Sequence, residues 1–468
     1  MANSMPIPRV VIAAPQGRSG KTTVSMGLCA AFSARGLAVQ PFKKGPDYID
    51  PSWLSASSGR ACRSLDPFFH VTSQALCQAF VKGARGADLC LLEGNHGLFD
   101  DSLEESYGEG STAAVARALK ASILLVVNAA RMTRSAAAMV HGYQTFEPGT
   151  PIAGVILNNV AHGRHEARLR HAIENACGIP VVGAIPRDEQ LTIPDRHLGL
   201  TPQGENEAYL PVIAACRETV ERHLDLEAVL QIARTASGRL EEERPPQENR
   251  PNEIKWEDKP VIGMLRDRAF SFYYPENLEA LEEVGARLVT IDSFLDARLP
   301  HVDALYIGGG FPEMFLKELV ANHSLRLDIR RAIEEGLPVY AECGGLMYLS
   351  QCIRWGEQQA EMCGALPFEV EMSRRPQGHG YVMAQAQVEN PIFPVGSPVR
   401  GHEFHHSKII CEQDDLPRAY RLKRGAGLGD GQDGILYRQV FAAYTHLHAA
   451  GAPDWAPGFV RQARGRLG

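Results

Sequence analysis

Apolar runs of strand length alternate with longer helix-compatible stretches along the first half of the chain. The run at Val10–Ala13 is followed by a glycine-rich turn, a helical stretch that reaches Arg35 and another run at Leu37–Phe42. Further runs continue this alternation at Leu89–Leu92, Ile123–Val127, Val155–Leu157 and Val181–Ile185. Strands that alternate with helices are typical of βαβ units. The pattern therefore predicts a mostly parallel sheet with helices on its faces.

A polar segment separates this pattern from a second one. Residues 237–259 have little to bury, and their three prolines disfavour a helix, so we predict a linker there. Apolar runs then resume, with helical stretches between them, at Val261–Leu265, Leu288–Ile291, Ala304–Ile307 and Val339–Ala341. We therefore predict two α/β domains, at residues 1–236 and 260–468.

Composition and charge narrow the class of protein. The 468 residues are 44% hydrophobic and 22% charged, which excludes collagen-like and largely disordered chains. A formal net charge of -7 without a long basic run disfavours nucleic acid as a partner. With neither a leader pattern nor an apolar run of membrane-spanning length, we expect a soluble, cytoplasmic protein without a membrane partner. The 10 cysteines include no Cys-x-x-Cys, so we expect mostly buried, reduced packing residues.

The segment Ala14–Thr23 lies between the first apolar run and the first helical stretch. This is the position of a phosphate-binding loop, whose backbone N–H groups close on phosphate oxygens. We expect Lys21 to reach the terminal phosphates and the Thr22 hydroxyl to ligate magnesium. Pro15 stands where the motif's first glycine usually lies, so the loop is a variant. The rest of the predicted loop consists of Gly17, Gly20 and Thr23.

Carboxylates stand at the ends of two predicted strands, where parallel sheets present residues to ligands. Glu93 directly follows the run at Leu89–Leu92 and resembles a Walker B carboxylate. Asp47 and Asp50 come just after the run at Leu37–Phe42. These two aspartates are candidates for a magnesium contact or for the acceptor-substrate site, and such positions are also common in plain turns.

The predicted strand at Val339–Ala341 leads into Glu342, Cys343 and two glycines. A strand that turns sharply into a helix through small residues exposes a nucleophile. We expect the N-terminus of that helix to lower the pKa of the Cys343 thiol. A buried structural cysteine is the alternative.

Two distant segments favour the nucleophile. The glycine-rich segment Tyr306–Glu313 could supply oxyanion-hole amides, and His446 could be the base that activates Cys343 for acyl transfer through a thioester. The predicted oxyanion-hole residues are Gly309, Gly310 and Gly344.

In combination, these segments resemble the cobyrinic acid a,c-diamide synthase family. Its members join a dethiobiotin-synthetase-like ATP domain to a class I type glutamine amidotransferase domain. The resemblance covers nearly the whole chain, and its most specific segments are Pro41–Pro51, Glu93–Asp100, Arg196–Leu200, Tyr306–Glu313, Gly401–His405 and Tyr444–His448. It implies that residues 1–236 form the amide-forming synthetase domain and residues 260–468 the glutaminase domain.

The resemblance also implies site residues and chemistry. Mg²⁺ is the implied cofactor, with ATP and L-glutamine as substrates. An acyl phosphate would form on the acceptor carboxylate, and ammonia from glutamine would displace the phosphate. The glutaminase pair would be Cys343 and His446; class I enzymes generally have His-x-Glu at the base, but the third position here is His448. The other implied sets are Gly17, Gly20, Lys21, Thr22, Thr23 and Lys43 for ATP, Thr22, Asp47 and Glu93 for the metal, and Asp47 and Asp100 for the substrate.

The implied acceptor is a tetrapyrrole, since relatives amidate cobyrinic acid, nickel sirohydrochlorin or sirohaem. Lys44 and the segment Glu93–Asp101 resemble the sirohaem amidases more closely, although Asp101 replaces a glycine that is usual in both groups. We therefore favour sirohaem or a related sirohydrochlorin. The resemblance also allows for a homodimer.

Two functions from other classes compete with this hypothesis. A partitioning-type P-loop ATPase switch would explain only the first half of the chain, and such switches commonly carry an extra lysine where Gln16 stands. A cysteine hydrolase with a regulatory nucleotide domain would cleave glutamine without needing a tetrapyrrole carboxylate and ATP.

Overall fold

The computed structural model describes residues 7–101, 108–188, 195–196, 199–200, 209–236, 240, 259–410 and 416–465. The chain divides into two compact units, unit 1 at Met1–Pro245 and unit 2 at Pro246–Gly468. The boundary falls inside the predicted linker, of which residues 237–239 and 241–258 lie outside the described residues.

Unit 1 alternates strands and helices in its described residues. Its strands β1 to β9 are Arg9–Ala13, Val39–Lys43, Arg63–Ser64, Leu89–Glu93, Ser122–Asn128, Ile152–Val160, Val181–Pro186, Asp195–Arg196 and Gly199–Leu200. Its helices α1 to α8 are Lys21–Ala34, Ile49–Ser58, Ser73–Gly83, Thr112–Ala118, Arg134–Phe146, Gly163–Cys177, Tyr209–His223 and Leu226–Arg234.

Seven of these strands form one parallel sheet in the order β3-β2-β4-β1-β5-β6-β7. Successive side chains of β1 enter different hydrophobic clusters: Val11 and Ala13 face one, and Val10 and Ile12 face the other. Both faces are therefore buried, which is why the strands are continuous apolar runs. The predicted parallel α/β fold is confirmed, and the strand ends differ from the predicted ones by a few residues.

Unit 2 contains more strands than the sequence pattern predicts. Its described strands β10 to β23 are Val261–Leu265, Arg287–Ile291, Ala304–Ile307, Val339–Glu342, Cys352–Trp355, Gln358–Glu361, Glu369–Met372, Gly378–Ala386, Pro398–His405, Ser407–Ile410, Arg418–Arg424, Gln432–Tyr437, Val440–Ala443 and His446–Leu447. Its described helices α9 to α13 are Pro275–Glu283, Leu316–Ala321, His323–Glu334, Gly344–Leu349 and Trp455–Arg464.

Ten of these strands form one mixed sheet in the order β11-β10-β12-β13-β22-β21-β20-β17-β18-β23. The five from β11 to β22 are parallel and include the four predicted strands. The antiparallel continuation beyond β22 was not predicted. A four-stranded sheet, β15-β14-β16-β19, accompanies it. The predicted α/β class is confirmed for unit 2.

Nine of the cysteines fall in the described residues, and all nine are free. Seven are buried and two are partly buried, as the composition predicts. Across the described residues, no helix combines the length and the apolar character that a membrane span requires.

Candidate active sites

The predicted phosphate loop of unit 1 connects β1 to α1. Gly20 ends it in the left-handed region at φ 94°, and a Cβ atom there would lie 2.3 Å from Nδ2 of Asn158. The same Asn158 amide donates to the Ser19 carbonyl oxygen at 3.0 Å, which fixes the loop against β6. No side chain caps the first turn of α1. The N–H groups of that turn are therefore suited to bind an anion.

Lys21 and Thr22 begin α1 and face the end of β4. Nζ of Lys21 donates to the His96 carbonyl oxygen at 2.7 Å, and burial lowers the pKa of Lys21. The Thr22 hydroxyl donates to Oε1 of Glu93 at 2.9 Å. The predicted loop residues and the predicted strand-end carboxylate are thus brought together. Gly17 lies exposed in the loop, and Thr23 lies in the first turn of α1.

Lys43, the last residue of β2, lies among three carboxylates. Its Nζ is 2.8 Å from Oε1 of Glu93 and 3.5 Å from Oδ2 of Asp47, and it donates to Asp50. Burial opposes the charge on Lys43, but Asp50, Glu93 and Asp47 together raise its pKa well above the ordinary value. Lys43 is therefore a fixed, buried cation.

The three carboxylates differ in their acidity. Burial, with Asp50 nearby, raises the pKa of Asp47 to about 7. Burial also acts on Asp50, but Lys43 and hydrogen bonds lower its pKa to about 2. Burial raises the pKa of Glu93. Asp50, one of the two candidate aspartates predicted after the second strand, therefore lies at this site as an ion-pair partner of Lys43.

A magnesium ion fits the donors at this site. Thr22, Glu93 and Asp47 offer only oxygen atoms, which hard cations prefer. Oε2 of Glu93 is buried, and among the described residues it has no hydrogen-bond partner. No group of three His, Cys, Asp or Glu side chains in the described part of the chain could hold a metal alone. Phosphate oxygens would complete the shell, as is usual for magnesium.

Asp100, predicted to face the substrate, lies beside the phosphate loop. Its Oδ2 accepts from the Gly97 backbone N–H at 2.8 Å, and the side chain is exposed. Leu98 N–H donates to the Ala14 carbonyl oxygen at 2.8 Å, so the segment after β4 runs along the loop. Asp47 accepts from the N–H of Ile49 at 2.9 Å and also serves as a turn residue.

In unit 2, Cys343 occupies a strained turn between β13 and α12. Its backbone has φ 45° and ψ -97°, an uncommon conformation for a residue with a side chain. Such a conformation costs about 1–3 kcal/mol and is concentrated at functional sites. The Cys343 N–H donates to the Ala443 carbonyl oxygen at 2.7 Å, which ties the turn to the end of β22. The predicted sharp turn is present.

The predicted low pKa of the Cys343 thiol is wrong. Burial raises its pKa, and the nearby carboxylates of Glu313, Glu342 and Asp433 raise it further. The Gly344 N–H at the start of α12 does act in the predicted direction, but it does not outweigh the burial. In this structure Cys343 is therefore a neutral thiol that needs a base.

The predicted oxyanion-hole glycines are brought together with Cys343 and His446. A Cβ atom at Gly344 would lie 3.0 Å from the backbone N of Gly310, and one at Gly309 would lie 2.3 Å from Cε1 of His446. A side chain at either position would force the neighbouring group to move. Backbone amides next to both members of the predicted pair are therefore available to a developing oxyanion.

His446 begins β23 and is completely enclosed. It pairs with His402 of β18, and the two rings stack with centroids 5.0 Å apart. Its Nδ1 lies 3.6 Å from Oε2 of Glu342. Burial, aided by His405, lowers the pKa of His446 to about 3. A neutral imidazole is the form that can accept a proton.

His448 does not replace the usual third residue of the glutaminase triad. Its Nδ1 accepts from the Ala450 N–H at 3.1 Å, where it caps a short 3-10 helix. Its Nε2 lies 3.7 Å from Oε2 of Glu276, on α9. The carboxyl group next to His446 is instead that of Glu342, which was not predicted as a site residue. The usable signal was a charged residue at the end of an apolar strand.

Comparisons with known proteins agree with both halves of the chain. Residues 10–200 match the CobQ/CobB/MinD/ParA nucleotide binding domain family, and residues 261–453 match the CobB/CobQ-like glutamine amidotransferase domain family. A cobyrinate a,c-diamide synthase of Magnetococcus marinus is 46% identical, with 98% of each chain covered. One from Methanothermobacter thermautotrophicus is 41% identical, covering 97% of this chain and 99% of that protein. The chain belongs to the cobyrinate a,c-diamide synthase family of glutamine-dependent ligases.

Proposed function

We propose that this protein uses ATP and glutamine to amidate the a and c acetate carboxylates of a tetrapyrrole. The observation that carries the proposal is that one chain holds two different sites. Unit 1 has a phosphate loop and the buried ammonium of Lys43, and unit 2 has the strained Cys343 and the neutral imidazole of His446, which are both close to the carboxyl of Glu342. A nucleotide switch uses only the first site, and a cysteine hydrolase uses only the second for its chemistry.

In unit 2, the proposed reaction releases ammonia from glutamine. Sγ of Cys343 attacks the side-chain amide carbon, while His446 accepts the thiol proton and passes it to the departing nitrogen. Amides of Gly309, Gly310 and Gly344 would stabilise the oxyanion. Water then hydrolyses the thioester to glutamate, and His446 acts as the base again.

In unit 1, the proposed reaction activates the acceptor. An acetate carboxylate of the tetrapyrrole attacks the terminal phosphorus of ATP, which forms an acyl phosphate and ADP. Lys21 and Lys43 would neutralise the phosphate oxygens, and Asp47 and Asp100 would orient the acceptor. Ammonia then attacks the acyl carbon, and phosphate leaves.

The proposed metal ligands are Thr22, Asp47 and Glu93. Bound magnesium would neutralise phosphate charge during the transfer. The N–H groups of Gly17, Gly20 and Thr23 would hold the phosphates.

Two acceptors remain to be compared. The names of the relatives support cobyrinate. The resemblance of Lys44 and the segment Glu93–Asp101 to sirohaem amidases favours sirohaem, and Lys44 is buried with its backbone N–H donating to the Glu93 carbonyl oxygen at 2.9 Å. Sirohaem therefore stays a prediction and the second candidate. A cytoplasmic location and a homodimer also stay predictions.

One experiment tests the function and the acceptor together. The purified protein is incubated with magnesium, ATP, glutamine and either cobyrinic acid or sirohaem, and the products are analysed by mass spectrometry. We expect mono- and diamide products that depend on ATP, together with ADP, phosphate and glutamate. A rate of glutamine hydrolysis that is the same with and without ATP and the tetrapyrrole would favour the cysteine hydrolase. ATP hydrolysis with no amide product would favour the nucleotide switch.

A further inference from the structure

The carboxyl group of Glu342 lies close to His446, although Glu342 directly precedes Cys343 in the sequence. The usual third residue of the triad instead stands two positions after the histidine. Glu342 ends β13, directly before Cys343, and is 2% exposed. Its Oε1 accepts from the Leu447 N–H at 3.2 Å, which ties it to the backbone of β23 beside His446. Its Oε2 is 3.6 Å from Nδ1 of His446 and accepts from the Tyr306 hydroxyl at 3.3 Å.

We propose that Glu342 is a positioning residue that holds His446 with its proton on Nδ1 and its Nε2 free to act as the base. The proposal rests on the proposed glutaminase role of Cys343 and His446. The 3.6 Å separation is slightly longer than a hydrogen bond, and such contacts often tighten only when substrate binds. Nδ1 of His446 is buried and has no hydrogen-bond partner among the described residues.

The alternative partner for a triad, His448, is directed elsewhere. It caps the turn after β23 and lies beside Glu276. The two histidine–carboxylate pairs, at 3.6 Å for His446 with Glu342 and 3.7 Å for His448 with Glu276, are nearly equal in length. Of these two glutamates, Glu342 is the one that directly precedes Cys343 in the sequence. Glu276 therefore provides a matched control.

The Glu342–His446 pair is built without a compensating cation. Burial raises the pKa of Glu342 to about 8, and the groups that act against this increase are neutral donors: the Leu447 N–H and the hydroxyls of Tyr340 and Tyr306. At neutral pH the carboxyl therefore holds a proton. Above about pH 8 it becomes a carboxylate that can accept the proton on Nδ1 of His446.

The ionisation of Glu342 predicts that kcat with glutamine rises as the pH passes about 8, where the carboxyl loses its proton. Other titratable groups face the same pair from β18 and from the neighbouring strands and loops. Those facing Glu342 are Tyr273, Tyr306, Tyr340, Cys343, Tyr420 and His446. Those facing His446 are His402, Glu403 and His405.

The test compares Glu342→Gln, Glu342→Asp and Glu276→Gln with the wild-type enzyme, using glutamine or ammonium as the nitrogen donor. Above about pH 8, where the wild-type carboxyl is ionised, we expect Glu342→Gln to lower kcat with glutamine by about 10²- to 10⁴-fold, because the amide can hold the wrong imidazole tautomer. The KM for glutamine and the ammonium-driven rate should not change. The rise in glutamine-driven kcat near pH 8 should disappear. Glu342→Asp should recover part of the loss, and Glu276→Gln should behave as the wild type.

Wild-type kcat and an unchanged pH profile in a folded Glu342→Gln protein would overturn the proposal, as would an equal loss in Glu276→Gln. If Glu342→Gln does not fold, ¹⁵N NMR of the wild-type imidazoles decides instead. Above pH 8 the proposal requires a proton on Nδ1 of His446, and a proton on Nε2 alone contradicts it. Failure of the proposed function is distinguishable, because the wild type would then make no amide from glutamine, or Cys343→Ala would still do so.

Discussion

The two candidate sites handle charge in opposite ways. In unit 1, the buried ammonium of Lys43 lies among the carboxyl groups of Asp47, Asp50 and Glu93, which raise its pKa while Lys43 acts to lower theirs. In unit 2, burial keeps the Cys343 thiol, the Glu342 carboxyl and the His446 imidazole neutral at pH 7. Burial therefore accompanies a charged lysine in one site and neutral groups in the other.

The two sites differ in charge because their buried groups have different partners. Burying a charge is costly unless an opposite charge or strong hydrogen bonds compensate it. Lys43 has such partners, whereas Glu342 is held by neutral donors. This contrast agrees with the proposed chemistry. Phosphate transfer in unit 1 needs cations that are already in place. Thioester formation in unit 2 begins when a neutral base takes a proton from a neutral thiol. The following changes test this comparison, starting with the largest expected effect.

Cys343→Ala should separate the two sites most sharply. Glutamine-driven amidation should fall by about 10⁴-fold or more, since the nucleophile is lost. Synthesis driven by ammonium at raised pH should persist, because free NH₃ needs no glutaminase. Product formation with each donor is the measurement. Cys363→Ala is the control, because Cys363 is buried in the same hydrophobic cluster, and it should retain both activities. Equal loss with both donors in folded Cys343→Ala would mean that Cys343 only packs.

Lys21→Ala should fail with both nitrogen donors. Loss of one charge from the phosphate site should lower the amidation rate by about 10³-fold, because acyl-phosphate formation precedes either use of ammonia. The rates with glutamine and with ammonium are compared at saturating ATP. Lys82→Ala, on α3, removes a charge from the same unit as a control. Full turnover in Lys21→Ala would remove the phosphate loop from the reaction.

Lys43→Met tests the charged site through stability. Removing the shared cation leaves three carboxylates close together and should lower the free energy of unfolding by about 3–5 kcal/mol. The matched control is Arg35→Met, which breaks the exposed ion pair between Arg35 and Glu227 and should cost at most about 1 kcal/mol. Thermal melts at pH 7 give both values. A Lys43→Met protein as stable as the control would mean that unit 1 does not depend on paired charges.

The smallest expected effect is the pH dependence of stability in unit 2. Folding raises the pKa of Glu342 from 4.5 to about 8, so the folded state binds its proton more tightly and loses stability as the pH rises through this window. His446, with a pKa lowered to about 3, acts in the opposite direction only below about pH 6.5. Between pH 7 and 8, the contribution of Glu342 to wild-type stability should therefore fall, by at most about 1.4 kcal/mol per pH unit. Glu342→Gln should reduce this slope in melting temperatures taken across the window. An unchanged slope contradicts the neutral state of Glu342.

Local patterns identified much of this protein. All but one of the parallel strands in the main sheet of each unit were predicted, because strands buried on both faces are continuous apolar runs; β3 and β22 were not. The phosphate loop and the turn at Cys343 were also predicted from short segments, since a strand, small residues and a helix follow one another there. Tertiary structure confirms that Lys21, Thr22 and Glu93 meet.

The antiparallel strands of unit 2 escaped prediction, because sheets of that kind are defined by partners that lie far apart in the chain. The pKa of Cys343 was predicted in the wrong direction for a related reason. A helix N-terminus can be read from the sequence, but the depth of burial around the thiol cannot.

The sequence by itself determined that the protein has two sites, a phosphate loop and a cysteine turn. Each of them consists of residues that are close together in the chain, so that short segments are enough to identify them. Only the tertiary structure decided which ionisable groups lie close enough to change one another's pKa. Glu342 and His446 are more than a hundred residues apart and meet because β13, β22 and β18 bring their ends together. Asp50 likewise joins Lys43 through the fold of α2 onto the end of β2. Electrostatic coupling depends on distance and on exclusion of water, and neither is a property of the sequence alone.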